Sequence, residues 1–472
     1  MPSKDYLFVF AQAHDEFRIP ELQSISELHG FTIGLSRYND LQRVEAAVKR
    51  PFMILELEEE VHAKLLAGRC ILIKAIYEFY AQGSTYNELH QANQEVRSRW
   101  ERYIPNTSFK FTIIRYNHGL SQRWQRDVIE SFSYMDFLGK IDLREPEIVL
   151  GCFEQYENDK RPDGTHHIDG GLHQVYFGRL VAEGTARTLI KTFDVKARNY
   201  FGNTSMEAEI SLLMANQTQA APGKLIYDPF IGTGSMAYTT AYFGAMVYGS
   251  DIDGRQMRGK GKTPGIMRAA SQYGVASRIM DLCTFDVTNN PWRIGGLFDA
   301  IITDPPCNVI LMGLQCCDLH CSTDGVRAGA KRLGQKKMRE DRPPPQSSTP
   351  RDEPYIPPTK PYELSELVID LILLSRYLLK PHGLLVFFLP TVTDSYEEVD
   401  IKSSLCEGMV LVANSLQDFG SWGRRLITIR KVTSDNYPPP AFEPTVSCTG
   451  DDTHIPAHKD FRGKYFQGFK AE

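Results

Sequence analysis

Short apolar runs separated by polar turns recur in the second half of the chain and predict a parallel β-sheet. The first run, residues 225–227, ends in Asp228, and a loop with Gly232 and Gly234 follows before Ser235 begins a helical pattern. A strand, a glycine-rich turn and a helix in this order are typical of the first unit of a doubly wound α/β sheet. Glycine lets the backbone approach a ligand closely, and a helix N-terminus offers unpaired N–H groups. The pattern therefore predicts a ligand-binding turn over residues 228–235.

Acidic residues follow the next strands of this predicted sheet. Residues 245–249 form a second apolar run, and Asp251 and Asp253 come just after it. An acidic side chain there, about twenty residues after the glycine turn, suits the hydroxyl groups of a ribose. Residues 282–286 predict another strand that ends at Asp286, although a helix cap or a turn is an alternative for this residue.

A further carboxylate is followed by two prolines. Residues 300–303 form an apolar run that ends in Asp304, Pro305 and Pro306. Proline fixes the backbone, and open α/β sheets bind ligands at the carboxyl ends of their strands. The third glycine of a dinucleotide-binding fingerprint is missing after Gly234. A nicotinamide dehydrogenase is therefore not expected.

The first half of the chain alternates strand and helix patterns. Strands are predicted over residues 6–10, 52–57, 109–114, 148–150 and 175–178. Helical spacing covers residues 19–28, 61–66 and 122–132. This order predicts an α+β region over residues 1–190, formed as one module or as two small ones.

The rest of the second half extends the predicted sheet. A link over residues 191–221 contains a predicted helix, 207–215. The later elements are an apolar helix over 364–379 that closes at 380–383, and strands over 384–389 and 425–430. Residues 434–472 are polar and proline-rich, so we expect a disordered tail.

Composition narrows the class of protein. The 472 residues are enough for two or three domains with their own cores. No apolar run approaches the roughly 20 residues that span a bilayer, and the N-terminus lacks a secretory or transit pattern, so we expect a cytoplasmic protein without membrane contact. Nine cysteines without regular spacing favour a reducing compartment. Because the net charge is −5, a nucleic-acid surface would be local.

One stretch combines cations with aromatic rings. Between residues 97 and 126 lie seven arginine or lysine side chains, with Trp100, Tyr103 and Trp124 among them. Such a stretch suits an RNA surface, with cations on phosphates and rings stacked on bases. The alternative is a solvated helix face with buried aromatic residues. The candidates for RNA contact are Arg97, Arg99, Arg115, Arg123 and Arg126.

The glycine turn, the acidic residues after the second strand and the Asp-Pro-Pro motif together resemble those of a class I S-adenosylmethionine-dependent methyltransferase. Asp-Pro-Pro followed by an aromatic residue is the signature of enzymes of this kind that methylate exocyclic amines of bases. Residues 198–206 and 325–331 are similar to one family, the catalytic subunit of the tRNA guanosine N2-methyltransferase acting at position ten. Residues 141–147 resemble part of a THUMP module, an RNA-binding domain of tRNA-modifying enzymes.

The resemblance implies an α/β fold, with a Rossmann-like class I methyltransferase domain over residues 222–433 preceded by an α+β THUMP-type RNA-binding module within residues 1–190. It implies methylation of the N2 amine of a tRNA guanosine with S-adenosyl-L-methionine as cofactor. It also implies a small zinc-binding activator subunit as partner, which no residue pattern in this sequence shows. A rival within methyltransferases takes DNA adenine or protein glutamine as substrate, and the long N-terminal region argues against it.

The resemblance also implies roles for individual residues. Asp304 and the carbonyl of Pro305 would accept the two N–H bonds of the guanine amine, in a motif completed by Pro306. Asp286 would accept a hydrogen bond from the adenine amine of the cofactor. The full set of cofactor-binding candidates is Asp228, Phe230, Gly232, Gly234, Ser235, Asp251, Asp253 and Asp286.

The sequence departs from the family pattern after the two prolines. A tyrosine and then Gly325 should follow, but residues 307–324 intervene. We interpret this insertion as a retained intron or a mis-predicted exon boundary. If Cys307 is coded TGT, its last two bases would be a GT splice donor. If Thr323 and Asp324 are coded ACA and GAT, the AG across these codons would be the splice acceptor. Splicing would then join the remaining T to AT, which gives a tyrosine codon in frame. If the insertion is translated, the chain is an impaired enzyme or a non-catalytic protein that binds tRNA or the activator.

Two groups of residues invite a metal-site interpretation. The insertion contains Cys316, Cys317, His320 and Cys321, but it has no Cys-x-x-Cys pair, and adjacent cysteines rarely chelate one ion. His166, His167 and His173 lie in a Gly/Asp-rich stretch that is typical of a surface loop. We therefore predict no metal site. Residues 331–361, basic and then proline-rich, predict a loop beside the active site that contacts tRNA or is simply disordered.

Overall fold

The computed structural model describes residues 3–38, 41–116, 118–156, 171–202, 205–259, 265–287, 289–305, 364–397, 399–441, 457–458 and 461. The chain divides into two units, Met1–Thr188 and Leu189–Glu472, and each contains one β-sheet. Within the described residues, no helix is long and apolar enough to cross a lipid bilayer.

The unit Met1–Thr188 contains a six-stranded sheet in the order β2-β1-β3-β6-β5-β4. Its strands are β1 (Lys4–Phe10), β2 (Phe52–Leu57), β3 (Ile73–Gly83), β4 (Phe109–Tyr116), β5 (Ile148–Tyr156) and β6 (Leu172–Glu183). Its helices are α1 (Arg18–Leu28), α2 (Leu41–Val48), α3 (Glu60–Arg69), α4 (Tyr86–Glu95) and α5 (Gln122–Ser131). Neighbouring strands are antiparallel except β4 and β5, which are parallel. The α+β prediction is confirmed, and one sheet joins all six strands.

Two apolar clusters of described residues contribute to the core of this unit. One contains Phe52 of β2 and Tyr176 of β6. The other contains Trp100, Phe132 and Phe177. Burial of a large apolar side chain stabilises a fold by roughly 1.5–3 kcal/mol, so these rings fix the sheet and the helices on it. Trp100 therefore belongs to the core and not to an RNA surface.

The unit Leu189–Glu472 contains a seven-stranded sheet in the order β12-β13-β11-β10-β7-β8-β9. Its strands are β7 (Leu225–Asp228), β8 (Met246–Asp251), β9 (Ile279–Thr284), β10 (Phe298–Thr303), β11 (Leu379–Val392), β12 (Met409–Asp418) and β13 (Trp422–Lys431). Its helices are α7 (Ala208–Gln217), α8 (Ser235–Tyr242), α9 (Gly254–Arg258), α10 (Ile266–Gln272), α11 (Leu364–Leu378) and α12 (Val399–Lys402). The short α6 (Thr188–Thr192) begins at the last residue of the preceding unit.

The order of strands in this sheet reverses between β7 and β10. The strands β8 and β9 follow β7 on one side, and β11 follows β10 on the other, all parallel. The final hairpin of β12 and β13 adds antiparallel strands. Open α/β sheets bind ligands at such a switch point, outside the carboxyl ends of the strands. The Rossmann-like prediction is confirmed.

Some predicted boundaries differ from those of the structure. The sequence Lys380-Pro381-His382-Gly383 predicts a helix end, but β11 already begins at Leu379, because this residue pairs with Phe298 of β10. The edge strand β12 was not predicted, since exposed apolar side chains such as Val410 and Val412 interrupt its pattern.

The predicted disordered tail falls mostly outside the described residues. Three of its residues, Ala457, His458 and Phe461, are buried. Ala457 N donates to Asp400 Oδ2 at 2.9 Å, and Phe461 packs against Val392. The prediction is wrong at these three positions, because contacts with β11 and α12 hold them.

Candidate active site

Four strands bring predicted site residues to one edge of the second sheet. Asp228 ends β7 and pairs with Gly249, and Asp251 ends β8 and pairs with Thr284 at the end of β9. Asp286 and Asp304 lie just beyond β9 and β10. Because these strands are parallel, all four carboxylates lie at the carboxyl edge, and Asp228 and Asp304 flank the switch point.

The glycine turn joins β7 to α8 in a backbone conformation that favours glycine. Gly232 and Gly234 have φ values of 53° and 84°. A Cβ on Gly234 would lie 3.0 Å from the hydroxyl oxygen of Tyr238, which donates to the carbonyl of Thr233 at 2.8 Å. Side chains at these glycines would therefore strain or displace the turn.

Asp251 connects the turn to the second strand. Its Oδ2 accepts a hydrogen bond from Gly232 N at 3.0 Å, and its Oδ1 accepts one from Asp253 N at 2.8 Å. Asp253 is buried, and its two carboxylate oxygens bind the guanidinium of Arg255 at 2.8 and 2.9 Å. Of the two predicted ribose ligands, Asp251 is the more exposed, while Asp253 anchors Arg255.

Asp228 is fully buried and only partly satisfied. Its Oδ1 accepts hydrogen bonds from Phe230 N and Thr303 Oγ1, both at 3.0 Å. Its Oδ2 is buried and has no hydrogen-bond partner among the described residues. Burial, the largest cause, raises the pKa of Asp228 to about 8, and the nearby carboxylates of Asp251 and Asp304 act in the same direction. A cationic ligand group next to Oδ2 would favour the ionised form.

Asp304, on the other side of the switch point, is half-buried as a residue, but one of its carboxylate oxygens is enclosed as Asp228 Oδ2 is. Its Oδ1 is buried without a hydrogen-bond partner among the described residues. Burial raises the pKa of Asp304 to about 6, and the positive charge of Arg424 opposes this shift. Pro305 is buried, whereas Pro306 lies outside the described residues. A buried acceptor without a donor is unfavourable, so Oδ1 is suited to a ligand N–H group.

Arg424, on β13, is itself held in place from several sides. Its Nε and Nη2 donate to Gln417 Oε1 at 3.1 and 2.7 Å, and its guanidinium carbon lies 4.8 Å from the ring centroid of Phe388. Its Nη2 also lies 3.8 Å from Glu207 Oε1. Since the side chain is buried, Arg424 acts on Asp304 as a fixed positive charge.

Residues 198–202 and 205–206 pack on the glycine turn. The hydroxyl of Ser235 accepts hydrogen bonds from Arg198 Nη1 at 2.7 Å and from Met206 N at 3.1 Å. Ser205 Oγ lies 2.8 Å from Thr233 Oγ1. Ser235 thus holds Arg198 and Met206 at the start of α8. The contact of Ser235 with a cofactor stays a prediction.

Two more predicted cofactor ligands differ in their surroundings. The ring of Phe230 belongs to the apolar cluster that contains Tyr227 and Phe298, so its side chain serves the core. Asp286 is half-buried, and its carbonyl accepts a hydrogen bond from Asn289 N at 2.9 Å. Asp286 is therefore a turn residue that also lies at the ligand-binding edge.

The predicted RNA-contacting arginines divide into two groups. Arg97, Arg99, Arg123 and Arg126 are exposed, although Arg99 Nη1 donates to Phe79 O at 2.8 Å. Arg115 is nearly buried and its Nε donates to Glu154 Oε2 at 2.7 Å. The same Glu154 accepts a hydrogen bond from Trp124 Nε1 at 2.7 Å. Arg115 and Trp124 thus belong to a polar network around the buried carboxylate of Glu154, although Trp124 itself is partly exposed.

Several predictions lie outside the described residues. These are the insertion over 307–324, the basic loop over 331–361, and His166 and His167. In the part of the chain that the structure describes, no three histidine, cysteine or acidic side chains are grouped as metal ligands.

Sequence reasoning missed three residues of the site. Thr303 is a buried hydroxyl residue at the end of an apolar strand, and this position could have identified it from the sequence. Arg198 lies in a segment that was noted only for its resemblance. Arg424 lies just before the predicted last strand, and nothing in its sequence context marks it as a neighbour of Asp304.

Comparisons with known proteins find relatives of this chain. Residues 4–186 match the model of the Tmrp11 THUMP N-terminal domain. The chain is 33% identical to the tRNA (guanine(10)-N(2))-methyltransferase of Schizosaccharomyces pombe, over 98% of this chain and 96% of that protein. It is 35% identical to the protein of the same name from Saccharomyces cerevisiae, over 99% and 100%. The crystal structure of TrmN from Thermus thermophilus is 15% identical and covers 90% of this chain and 99% of its own, with a TM-score of 0.41. The identities to the two yeast proteins extend over nearly the whole chain, which therefore belongs to the tRNA (guanine(10)-N(2))-methyltransferase family.

Proposed function

We propose that this chain methylates the exocyclic N2 amine of the guanosine at position ten of tRNA, with S-adenosyl-L-methionine as methyl donor. The observation that carries the proposal is the buried carboxylate oxygen of Asp304 at the switch point of the sheet, which has no hydrogen-bond partner among the residues that the structure describes. Membership of the family supports the choice of tRNA and of the position.

The chain offers a set of residues that fits the methyl donor. The buried Oδ2 of Asp228, which has no partner in the described part of the chain, suits its ammonium group, and the two positive-φ glycines leave room for close backbone approach. Asp251 and Asp253 suit the ribose hydroxyls, and Asp286 suits the adenine amine. When bound, the cofactor supplies an electrophilic methyl group on a sulfonium ion.

Asp304 and Pro305 act on the nucleophile. The lone pair of the guanine amine is delocalised into the ring, which makes the amine a poor nucleophile. Hydrogen bonds from its two N–H groups to the Asp304 carboxylate and the Pro305 carbonyl would free that lone pair and stabilise the developing positive charge. Because the acceptors are fixed at a strand end, they also orient the amine for in-line attack.

The insertion bears directly on activity. The family motif has an aromatic residue after the second proline, which would stack on a base flipped out of the tRNA. In this sequence Cys307 stands there instead. Loss of a stacking platform is worth roughly 1–3 kcal/mol. The insertion therefore favours a second candidate function, in which the chain binds tRNA or the activator subunit without catalysis.

The remaining features are proposals of the same kind. We assign tRNA binding to the region 1–190, the link to 191–221, catalysis to 222–433 and an accessory tail to 434–472. We expect a small zinc-binding activator subunit as partner and a cytoplasmic location. Co-purification with the activator subunit, followed by native mass spectrometry, tests the partnership.

The test of function compares this chain with a version in which residues 307–324 are replaced by one tyrosine. Each is co-expressed with the activator subunit and assayed for tritiated methyl transfer to unmodified tRNA, and the methylated base is identified by mass spectrometry. Activity of only the tyrosine version supports the site and makes this chain the non-catalytic form. Equal activity shows that the insertion is tolerated. Methylation of a different base, or inactivity of both versions, would overturn the proposed substrate.

A matched variant locates the chemistry. Asp304→Asn is made in whichever of the two versions methylates tRNA. The substitution keeps the shape of the side chain but removes the charge. We expect methyl transfer to fall by about 10²–10³-fold, as for other fixed groups that stabilise developing charge, while the affinity for the cofactor stays close to that of the parent. An unchanged rate would exclude Asp304 from the reaction.

A further inference from the structure

Part of the tail docks at the carboxyl edge of the second sheet. The docked tail residues are three buried residues of this tail: Ala457, His458 and Phe461. Ala457 N donates to Asp400 Oδ2 at 2.9 Å, and Ala457 O accepts a hydrogen bond from Val392 N at 3.4 Å. Val392 ends β11, which runs parallel to β10 and extends past the carboxyl end of that strand. The docked tail residues therefore lie at the edge of the sheet that carries Asp304.

Phe461 connects the tail to the turn between β12 and β13. Its ring centroid lies 5.9 Å from that of Trp422, and both side chains pack against Val392. The ring centroid of Trp422 lies in turn 4.7 Å from that of Phe419. Phe419 N also donates to Trp422 O at 3.0 Å, which closes the turn. A series of three rings therefore runs from the tail to this turn.

The last ring of the series contacts Arg424. The guanidinium carbon of Arg424 lies 5.6 Å from the ring centroid of Phe419 and 4.8 Å from that of Phe388. At such distances a cation and an aromatic ring attract each other, so both rings help to hold the guanidinium in place. Arg424 is buried, and its positive charge acts on Asp304. A continuous series of contacts thus leads from Phe461 to the carboxylate of the candidate active site.

The alternative is that these rings only pack together as part of the core. The cluster of Val392, Phe461 and Trp422 is separate from the larger apolar cluster of this unit. Phe419 is 45% exposed, so its contacts bury little of its apolar surface. A ring that served only the core would be buried. The principal effect of Phe419 is therefore to fix Arg424.

We propose that the docked tail residues are positioning residues for methyl transfer. They hold Trp422 and Phe419 in place, and these rings keep the guanidinium of Arg424 beside Asp304. The inference rests on the proposed function, because it takes Asp304 as the carboxylate that accepts the amine N–H. It assigns part of the tail to the machinery of the same site, although the docked tail residues themselves do not touch the reacting atoms.

Three variants test the proposal, each made in the version of the chain that methylates tRNA and co-expressed with the activator subunit. Phe461→Ala removes the ring that contacts Trp422, and Phe461→Leu keeps most of the apolar bulk. Met409→Ala is the matched control. Met409 is also buried, but it begins β12 and pairs with Lys431, at the opposite edge of the sheet. Thermal melting identifies a temperature at which every variant is folded. At this temperature kcat, KM for tRNA and the Kd of S-adenosylhomocysteine are measured.

We expect Phe461→Ala to lower kcat by roughly 10- to 100-fold, because a small displacement of a positioning group is costly in rate. KM for tRNA and the Kd of S-adenosylhomocysteine should stay close to those of the parent. Phe461→Leu should recover part of the rate, and Met409→Ala should keep it. An unchanged kcat in Phe461→Ala would overturn the proposal. An equal loss of kcat in Met409→Ala would also overturn it, since any loss of packing would then have the same effect.

The pH dependence of kcat/KM gives a readout that a loss of packing alone would not move. The charge of Arg424 lowers the pKa of Asp304, so a displaced guanidinium should move the acid limb to higher pH. Burial lowers the pKa of His458 to about 4, although Asp400 acts in the opposite direction, so His458 stays neutral near pH 6. Asp228, a carboxyl that interacts with Asp304, is the same in all variants. An acid limb that does not move in Phe461→Ala would contradict the proposal.

A double-mutant cycle tests the path through the rings. Phe419→Leu removes the ring that contacts Arg424 but leaves Phe461 in place. If both residues act through the same contacts, the double variant should lose no more rate than the more impaired single variant. Losses that multiply would mean that the two residues act independently, which contradicts the series of contacts.

The parent separates this inference from the proposed function. If neither version of the chain methylates tRNA, the proposed function itself fails. If the parent is active and the variants of Phe461 and Phe419 are equally active, only the role of the docked tail residues is wrong.

Discussion

Thr303 Oγ1 donates a 3.0 Å hydrogen bond to Asp228 Oδ1, and both side chains are fully buried. Asp228 ends β7 and Thr303 ends β10, so this bond joins the two strands between which the order of the sheet reverses. It connects the proposed cofactor-binding carboxylate with the strand that carries Asp304. The two halves of the candidate active site are therefore coupled through one hydroxyl group.

The first prediction concerns this bond. Thr303→Val keeps the shape of the side chain but removes the donor, which leaves Asp228 Oδ1 with only the bond from Phe230 N. We expect a loss of about 1–3 kcal/mol in the free energy of unfolding, because a buried acceptor loses a partner. Urea denaturation of the variant and the parent measures this change. Thr303→Ser keeps the hydroxyl and should lose less; an equal loss would show that packing, and not the hydrogen bond, is responsible.

The second prediction concerns proton release on cofactor binding. Burial raises the pKa of Asp228 to about 8, so at pH 7 this carboxyl is mostly protonated in the free protein. A cationic ammonium group next to it lowers its pKa, and the proton is then lost. Binding of S-adenosylhomocysteine should therefore release about one proton at pH 7 and almost none at pH 9. Calorimetric titrations in two buffers of different ionisation enthalpy measure the number released.

Asp228→Asn is the control for proton release. Its amide oxygen can still accept the bonds from Phe230 N and Thr303 Oγ1, but the side chain no longer titrates. The variant should bind more weakly and release no proton at pH 7. Continued release from this variant would assign the proton to another group and contradict the role of Asp228.

The third prediction concerns the pH dependence of methyl transfer. Asp304 must be ionised to accept an N–H bond as a carboxylate, and its pKa is raised by burial to about 6. The rate should therefore fall as the pH is lowered through about 6. Arg424 lowers this pKa, so Arg424→Gln should move the acid limb of kcat/KM to higher pH, whereas Arg424→Lys should leave it close to the parent. The pH dependence of kcat/KM checks this prediction, measured for the version with the tyrosine in place of residues 307–324 and for its two Arg424 variants.

Arg424 is buried, so folding must be separated from titration. The melting temperature of each variant at pH 8 shows how far the loss of the Gln417 contacts destabilises the unit. A lower rate in the glutamine variant with an unchanged acid limb would mean that Arg424 supports the fold but does not tune Asp304.

The sequence predicted those parts of the site that lie directly after apolar strands. Asp228, Asp251 and Asp304 each follow a short apolar run, and parallel strands bring such positions to one edge. Arg198 contacts Ser235, which lies 37 positions later in the sequence. Arg424 acts on Asp304, which follows a different strand of the sheet. Local pattern carries no information on such contacts, so they were missed.

The same limit explains the errors in the first unit. A cluster of cations and rings along the sequence does not reveal which side chains face solvent. Trp100 is a core residue, and another core cluster packs Phe52 against Tyr176, which are 124 residues apart in sequence. Only the pairing of the strands brings these two rings together.

The last prediction separates structural from RNA-contacting arginines. Arg115 is paired with Glu154, whose side chain is fully buried. Arg115→Gln leaves a buried carboxylate without its cation, so we expect a loss of about 3–5 kcal/mol in the free energy of unfolding. Arg123 and Arg126 lie exposed on α5, and changing both to glutamine should alter stability by no more than about 0.5 kcal/mol.

The same two variants should differ in the opposite sense in tRNA binding. If Arg123 and Arg126 contact phosphates, their double variant lowers the salt dependence of log affinity by about two, while Arg115→Gln, measured at a temperature at which it is folded, leaves it unchanged. Urea denaturation and binding titrations on the same preparations give both quantities. Suppose that Arg115→Gln instead shows a smaller dependence of log affinity on log salt without loss of stability. Arg115 would then contact RNA, which contradicts its assignment to the network around Glu154.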